Sequence, residues 1–546
     1  MTKRSAAPLV LIALLFLYAG CSSLAEKDAV SEESRNEIRT RVYAGWTSLW
    51  GDDFKAARAG FQEALDIDPE NCEALRGLGL ARFSLGDYFG AADCLLLAIE
   101  KDPSSPYAVV MRDFLQSEIP FSLSLQGRIS ESSAALTDKD LPLWVRREGY
   151  WGGIDYNDSV VPLPETVREY ALKLGVIRNW SVLGPFSNVS GSGRDRAFID
   201  ETAGTAPDME AEFAGAEGVP IRWRKPGRVS NSGEVFLSEY TSARNSTAYA
   251  ETAVTIPETG SYALVFSQYG AIKAWVDGTL VLSDPEYRYG ADVHWAVRDL
   301  EAGEHRVLVK VSAGNSWSGF CASLVDLAEE ELPEEPSPAY RRLFPQNLDI
   351  WGRDPILEAL SSLSEGGERR AEDLFWLSFM LRAKGYRYEA LSVTEEGRGL
   401  LPNAESALFD LVDSRVYRSL GKEEETFRYL NRPMNRNVLF APSAAFLIEE
   451  YIGQSRWSEA GDLIHRATVE FGPWFYGTAL SAVREAAMND EDGAAESIKH
   501  FNEAYPDSPY LVYQLLDNPD ISTSSSAEDL FSALEKKGRP VEADLR

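Results

Sequence analysis

The strongest constraint on this chain is that it resembles itself at a distance of 34 residues. Phe54 is answered by Tyr88, Ala57 by Ala91, Ala64 by Ala98, Pro69 by Pro103 and Gly45 by Gly79, each at that offset. A repeat of this length is one supersecondary unit that cannot bury its own apolar face, so neighbouring copies must stack and share a core. The residue types say how. Small Gly45, Ala57, Gly79 and Ala91 suit points where two helices approach closely. Phe54 and Tyr88 wedge each hairpin, and Phe61 and Leu95 reach the next copy. Pro69 and Pro103 close each second helix, because proline cannot continue one.

The period and these residues resemble the tetratricopeptide repeat, over 35–118, ending in a lone helix around Tyr107–Ser117. In that family the first helix of each hairpin lines a concave groove. The resemblance therefore implies a protein-binding groove of Arg39, Val42, Trp46 and Leu49 from one repeat, and Glu73, Arg76, Leu80 and Phe83 from the next. Trp46 and Phe83 are too apolar to face water. Either they grip a peptide, or the segment 119–163 covers them. Similar spacings return over 341–512, where Ala390 with Pro402, Ala460 with Ala467, and Ala494 with Pro506 predict four repeats from about 370 to 510. Phe375 and Phe379 raise the same question there. A polar tail, 513–546, follows.

Between the arrays the pattern changes. Residues 119–175 read as a connector, broken by Pro120, Pro142, Pro162 and Pro164, with one short helix from Glu165 to Leu174. Over 176–328 apolar residues alternate at Tyr262, Leu264 and Phe266, at Val307, Val309 and Val311, and at Phe320, Ala322 and Leu324. Asp277-Gly278 between two such runs signals a type I′ hairpin. The expectation is an antiparallel β-sandwich. With Trp180–Phe186, Trp275 and Trp317, it resembles the galactose-binding-like jelly rolls of bacterial envelope proteins. Tyr287, Tyr289 and Trp295, with Asp284 and Arg288 between them, are either a platform for sugar rings or sandwich core. An acidic, Pro-rich linker, 329–340, leads into the second array. The expected fold class is multidomain α + β, with helical repeats flanking a β-sandwich.

The N-terminus reads as a targeting signal. Lys3 and Arg4 precede an apolar run, Leu9 to Leu17, too short to span a bilayer comfortably. Leu17-Tyr18-Ala19-Gly20-Cys21 then resembles the lipobox of bacterial lipoproteins. That resemblance implies cleavage after residue 20, acylation of Cys21, a tether over 21–34, and anchorage stable enough to hold the protein on a membrane. Ser22, where Asp would signal retention, points to the outer membrane.

Little in the chain looks catalytic. There is no Gly-x-Ser-x-Gly, no Cys-x-x-Cys, and the four histidines are not paired at ligand spacing. Cys321 shares a domain with His294 and His305 but reads as a buried strand residue. Cys72 and Cys94 fall on one predicted hairpin, with their pairing left open. Asp284, Glu286 and Asp292 could hold Ca²⁺ in a loop, but loop acids are usually just solvated. Gly191-Ser192-Gly193 reads as a tight loop. The 85 acidic and 54 basic residues leave a net charge of −31, which repels nucleic acid. No catalytic residue, metal or cofactor is expected. The expected function is a non-enzymatic, lipid-anchored scaffold for envelope proteins; the alternative is a glycan-binding lipoprotein.

Overall fold

The computed structural model describes residues 31–237, 245–314, 318–328, 336–345, 352–363, 370–488, 490–511 and 514. Cys21 with its signal segment, Trp317, most of the acidic linker and nearly all of the polar tail lie outside the described residues. Among the described residues no helix is long and apolar enough to cross a membrane.

The first array comprises α1 (Glu32–Trp50), α2 (Phe54–Ile67), α3 (Cys72–Ser84), α4 (Tyr88–Lys101) and α5 (Pro106–Glu118). The repeated aspartate is a helix cap. Asp53 accepts from the Ala56 N–H at 3.0 Å, and Asp87, 34 residues on, accepts from Gly90 at 3.1 Å. Such caps satisfy one of the donors a helix start leaves unpaired. The repeated glycine marks a close helix contact. A Cβ at Gly45 would stand 2.8 Å from the Phe61 ring, and one at Gly79 2.8 Å from Leu95.

The connector is more helical than its prolines suggest. It forms α6 (Leu123–Ala135), α7 (Leu143–Ser159) and α8 (Pro164–Lys173). Pro142 precedes α7 and Pro164 opens α8. These prolines start helices, because the first turn has no intrahelical use for their missing N–H.

The β region consists of β1 (Ser181–Ser187), β2 (Phe213–Ala214), β3 (Pro220–Ile221), β4 (Val235–Phe236), β5 (Ser246–Ile256), β6 (Gly260–Val276), β7 (Thr279–Leu300), β8 (Gly303–Ala313) and β9 (Gly319–Asp326). Beside a two-stranded β2–β3 sheet, the expected antiparallel β domain forms as a seven-stranded sheet, ordered β1-β5-β8-β6-β9-β4, with β7 also on β6. It curls at β6. Residues 262–269 of β6 pair with β9, and residues 271–276 pair with β8. Gly270, at φ +123°, sits at the switch; a Cβ there would meet the Ser312 carbonyl at 2.8 Å. The Asp277-Gly278 turn forms as expected, both residues at positive φ and Val276 paired with Thr279. Alternating residues Leu264, Phe266, Val307, Val309, Phe320 and Ala322 meet in one core. Residues of the other parity, Leu183, Tyr249, Trp275 and Leu308, form a second core under the excursion that carries Phe198 and Trp223.

The second array begins with α9 (Pro338–Leu343) and α10 (Pro355–Leu363). Four helix pairs follow: α11 (Ala371–Ala383) with α12 (Arg387–Gly399), α13 (Ala407–Ser419) with α14 (Glu423–Asn435), α15 (Ala441–Gly453) with α16 (Trp457–Phe471), and α17 (Phe475–Ala487) with α18 (Glu491–Ala504).

Candidate binding cleft

The two helical arrays face each other, and this decides the fate of the expected groove. Trp50 stacks on Phe409 with ring centroids 5.5 Å apart, Phe54 meets Phe440 at 5.6 Å, and Phe114 meets Trp376 at 5.6 Å and Phe379 at 5.3 Å. Tyr88 meets Tyr476 at 5.3 Å. Charges cross the same seam. Arg76 Nε donates to Glu372 at 2.7 Å with both side chains buried, and the Tyr107 hydroxyl donates to Asp373. Arg436 reaches Asp52 at 2.8 Å, and Glu118 receives Arg382 and Arg415.

Leu49, Leu80 and Phe83 are therefore core residues, at most 1% exposed, and Arg76 is buried in its ion pair. They are not an open groove. The cover is the second array, not the 119–163 segment, because α11, α13, α15 and α17 present a matching apolar face. Phe375 and Phe379 are buried in that seam as well.

The seam does not close completely. At the α1 end a cleft of about 1270 Å³ remains, between α1, the start of α3, the start of α11, and the segment after α12. Arg39, Val42, Trp46 and Glu73 of the expected groove line it. Its floor is apolar: Trp46 and Trp50 stack at 5.8 Å, and Val42 and Ile38 lie beside them. Trp46 Nε1 is shut from solvent and has no acceptor among the described residues. The lips are apolar yet exposed, Tyr43 at 74% and Leu400 at 46%. A smaller hollow of about 390 Å³ continues from it, sharing Asn403, Glu405 and Arg436, and is lined by Arg398, Asp410 and Arg432.

The residues singled out on the sheet do not form a platform. Trp295 is 3% exposed and packs with Ala263, Val265 and Trp144. Tyr287 is half-buried and its hydroxyl accepts from Asn188 at 3.0 Å. Tyr289 pairs with Tyr269 through its backbone, and its side chain lies outside what is described. The intervening charges are internal: Asp284 accepts from Arg288 at 2.7 Å and Gln268 at 3.0 Å and bonds His294 at 3.0 Å. Burial opposes ionisation of Asp284, but His294 and Arg288 outweigh it and hold its carboxyl well below the usual range. Asp292 pairs with Arg147 at 2.6 Å. Asp284 and Asp292 are thus spent on basic side chains rather than arranged around a cation. Among the described residues no group of three or more His, Cys, Asp or Glu is placed to hold a metal ion.

The remaining candidates are also structural. Cys321 is buried in β9, where burial pushes its thiol up, and His305 bonds Asp277 at 2.6 Å. Cys72 and Cys94 are both free thiols.

A junction absent from the sequence reading joins the sheet to the helices. Lys384 Nζ, buried at the end of α11, lies 3.2 Å from Glu148, 3.4 Å from Asp354 and 3.2 Å from the Ala291 carbonyl. Arg288 donates to the Gly385 carbonyl at 2.8 Å, and Arg147 to Asp292 at 2.6 Å and the Ser323 hydroxyl at 3.3 Å.

No family model matches the chain, and no curated protein matches its sequence. Among solved structures, a β-glucosidase from Kluyveromyces marxianus matches at 12% identity over 27% of this chain, with a TM-score of 0.18. A GH31 α-xylosidase from Xanthomonas citri matches at 17% identity over 30% of this chain, with a TM-score of 0.17. The matches span 16% and 14% of those two chains. Likenesses of that size carry no argument about what this chain does.

Proposed function

We propose that this chain is a non-enzymatic interaction scaffold of the bacterial envelope, anchored through acylated Cys21, and that it takes a segment of a partner envelope protein in the cleft between its helical arrays. The arrays are read as tetratricopeptide-type repeats, the sheet as a jelly-roll-like domain that braces them, and the outer membrane as the location. The observation that carries the reading is the cleft itself, an apolar floor between two large exposed apolar lips, Tyr43 and Leu400. Exposed apolar surface gathered around a concavity is the usual mark of a recognition site. The glycan alternative loses support, because Trp295 is buried.

Site-specific photocrosslinking in living cells tests this. A photoreactive residue at position 43 or 400 is expected to capture the same one or few envelope proteins. One at Leu172, 71% exposed on α8, is expected to capture none of them. Adducts that do not differ among the three positions, or no adducts at 43 and 400, sink the reading. Separately, Cys21→Ala is expected to release the protein from membranes; retention would overturn the lipid anchor.

A further inference from the structure

His305 stands on β8 with both ring nitrogens against acceptors. Nδ1 lies 2.6 Å from Asp277 Oδ2, at the tip of the β6–β7 hairpin. Nε2 lies 2.8 Å from the Glu301 carbonyl, in the turn between β7 and β8. A carbonyl only accepts, and so does an ionised carboxylate. A neutral imidazole has one donor and one acceptor, so it can satisfy one of these partners but not both, whereas the imidazolium satisfies both. The geometry is therefore that of the charged ring.

The two partners are held unequally. Asp277 is fixed without the histidine: its Oδ1 accepts from the Arg306 N–H at 2.8 Å, and its own N–H donates to the Arg306 carbonyl at 2.9 Å. Gly278 beside it backs onto the excursion, where a Cβ would meet the Thr202 carbonyl at 2.0 Å. The turn is held more lightly. Glu301 and Ala302 are exposed, and the Ala302 N–H donates to Thr259 Oγ1 at 2.9 Å. Gly303 follows at φ +143°, with open space where a Cβ would stand. Few other charges surround the ring. Asp277 faces it from the hairpin and Glu301 from the turn. Glu304 and Arg306 flank it on β8 and turn to the opposite face. Arg306 is taken up by the Ala203 carbonyl and by Glu251 of β5, and Asp200 of the excursion bears on Arg306. On β5 the residue opposite His305 is Val254. Burial disfavours the charged ring, but the Glu301 carbonyl and Asp277 outweigh it and hold His305 above the ordinary histidine value. Its side chain is still 13% exposed, so protons reach it from solvent.

We propose that His305 is a pH-operated catch that ties the β7–β8 turn to the tip of the β6–β7 hairpin. The inference does not depend on the cleft being occupied. When the ring loses a proton, the remaining N–H stays with the carboxylate, because a bond to a charged acceptor is the stronger of the two. Nε2 then turns a lone pair on the Glu301 carbonyl. Two acceptors 2.8 Å apart repel, and the turn swings away about Gly303 while the hairpin tip stays in place. Linkage gives the sign. A histidine whose folded pKa lies above its unfolded one contributes stability that is complete below about pH 6.5 and is lost as pH rises through the folded value. The catch is closed in mildly acidic medium and opens toward alkaline pH.

Hydrogen–deuterium exchange of the full chain, read by mass spectrometry, tests this. Exchange at the imidazole C2 position of His305, followed from about pH 5 to about pH 10, gives the midpoint of the ring, which is expected above about 6.5. Asp277→Asn suits the positive φ of the turn and is expected to move that midpoint down. Backbone exchange over 300–304, corrected for the intrinsic dependence of amide exchange on pH, is expected to rise severalfold between about pH 6 and about pH 9. The hairpin tip, 275–280, is expected to stay protected over the same range. His305→Gln is expected to show the raised turn exchange at every pH. A wild-type midpoint at or below about 6.5, or a turn whose corrected exchange is flat with pH, overturns the proposal, and neither result needs a variant to fold. A midpoint unmoved in Asp277→Asn, or a pH-dependent rise that survives in His305→Gln, overturns it as well.

Discussion

Replacing Lys384 by Met tests whether one buried cation holds the three parts of the molecule together. Its Nζ contacts Glu148 of α7, Asp354 before α10, and the Ala291 carbonyl of β7. Methionine keeps most of the stem and removes the charge. Glu148 would retain Arg112 at 3.2 Å, while Asp354 would retain the backbone N–H groups of Ile356 and Leu357. Removing one partner of a buried ion pair costs about 3–5 kcal/mol, and two carboxylates lose a cation here, so the upper half of that range is expected. Burial already pushes both carboxyls above their usual range, with Lys384 the largest opposing influence. Without it both rise further. An acid whose folded pKa exceeds its unfolded one destabilises the fold while ionised, and that penalty fades as pH falls through the folded value. The deficit of Lys384→Met is therefore largest at neutral to mildly alkaline pH and shrinks toward about pH 5. Guanidinium titrations across this range, with hydrogen exchange on α7 and β7, measure both its size and its place. Adding Glu148→Gln and Asp354→Asn should recover much of the loss. A deficit below about 1 kcal/mol, or one that does not vary with pH, would refute the assignment.

Three further outcomes follow from the packing. Gly77→Ala places a Cβ 2.2 Å from the Phe61 ring and is expected to cost about 1–3 kcal/mol in chemical denaturation; a neutral result would mean the repeats do not pack this closely. Phe83→Ala is expected to cost about 3–5 kcal/mol, because Phe83 is core, whereas Tyr43→Ala is expected to stay within about 0.5 kcal/mol; similar melting temperatures for the two would contradict the closed seam. Burial pushes the Cys94 thiol up to about 11, so iodoacetamide at pH 8 should label half-exposed Cys72 first and reach Cys94 only on unfolding; early labelling of Cys94, or a Cys72–Cys94 disulfide by mass spectrometry, would contradict this.

The first array was legible because its determinants are local. Asp53 and Asp87 cap helices within three residues of themselves, and Gly45 and Gly79 are fixed by neighbours in the same hairpin. The connector was not legible because its charges are in the wrong place for a periodicity argument. Arg147 and Glu148 of α7 are buried, satisfied by Asp292 in the sheet and by Arg112 and Lys384 in the two arrays. A reading that counts charged residues as solvent-facing sees no stripe there. In the sheet, alternation identified the inward residues of β6, β8 and β9. It could not show that β6 changes partners at Gly270, since hydrogen-bond partners leave no period in the sequence.

The site was half legible, and the reason is distance along the chain. Groove geometry selected the right helices of the first array, but the residues that fill the groove lie some 300 positions later. One signal was present. Within α11, Leu374-Phe375-Trp376-Leu377-Ser378-Phe379-Met380-Leu381 is apolar but for Ser378, and the whole run is buried. A helix without a polar face must be covered all round, so the second array required a partner surface, and the inner face of the first is that surface. The cleft then follows from where the first array ends. Repeats bury their apolar faces on neighbours, and α1 has no preceding described helix to pack on. A terminal helix that only capped the array would turn polar side chains outward. Exposed Tyr43 departs from that, and it faces a second exposed apolar lip, Leu400. That juxtaposition leads from the geometry of an incomplete closure to the proposed binding cleft.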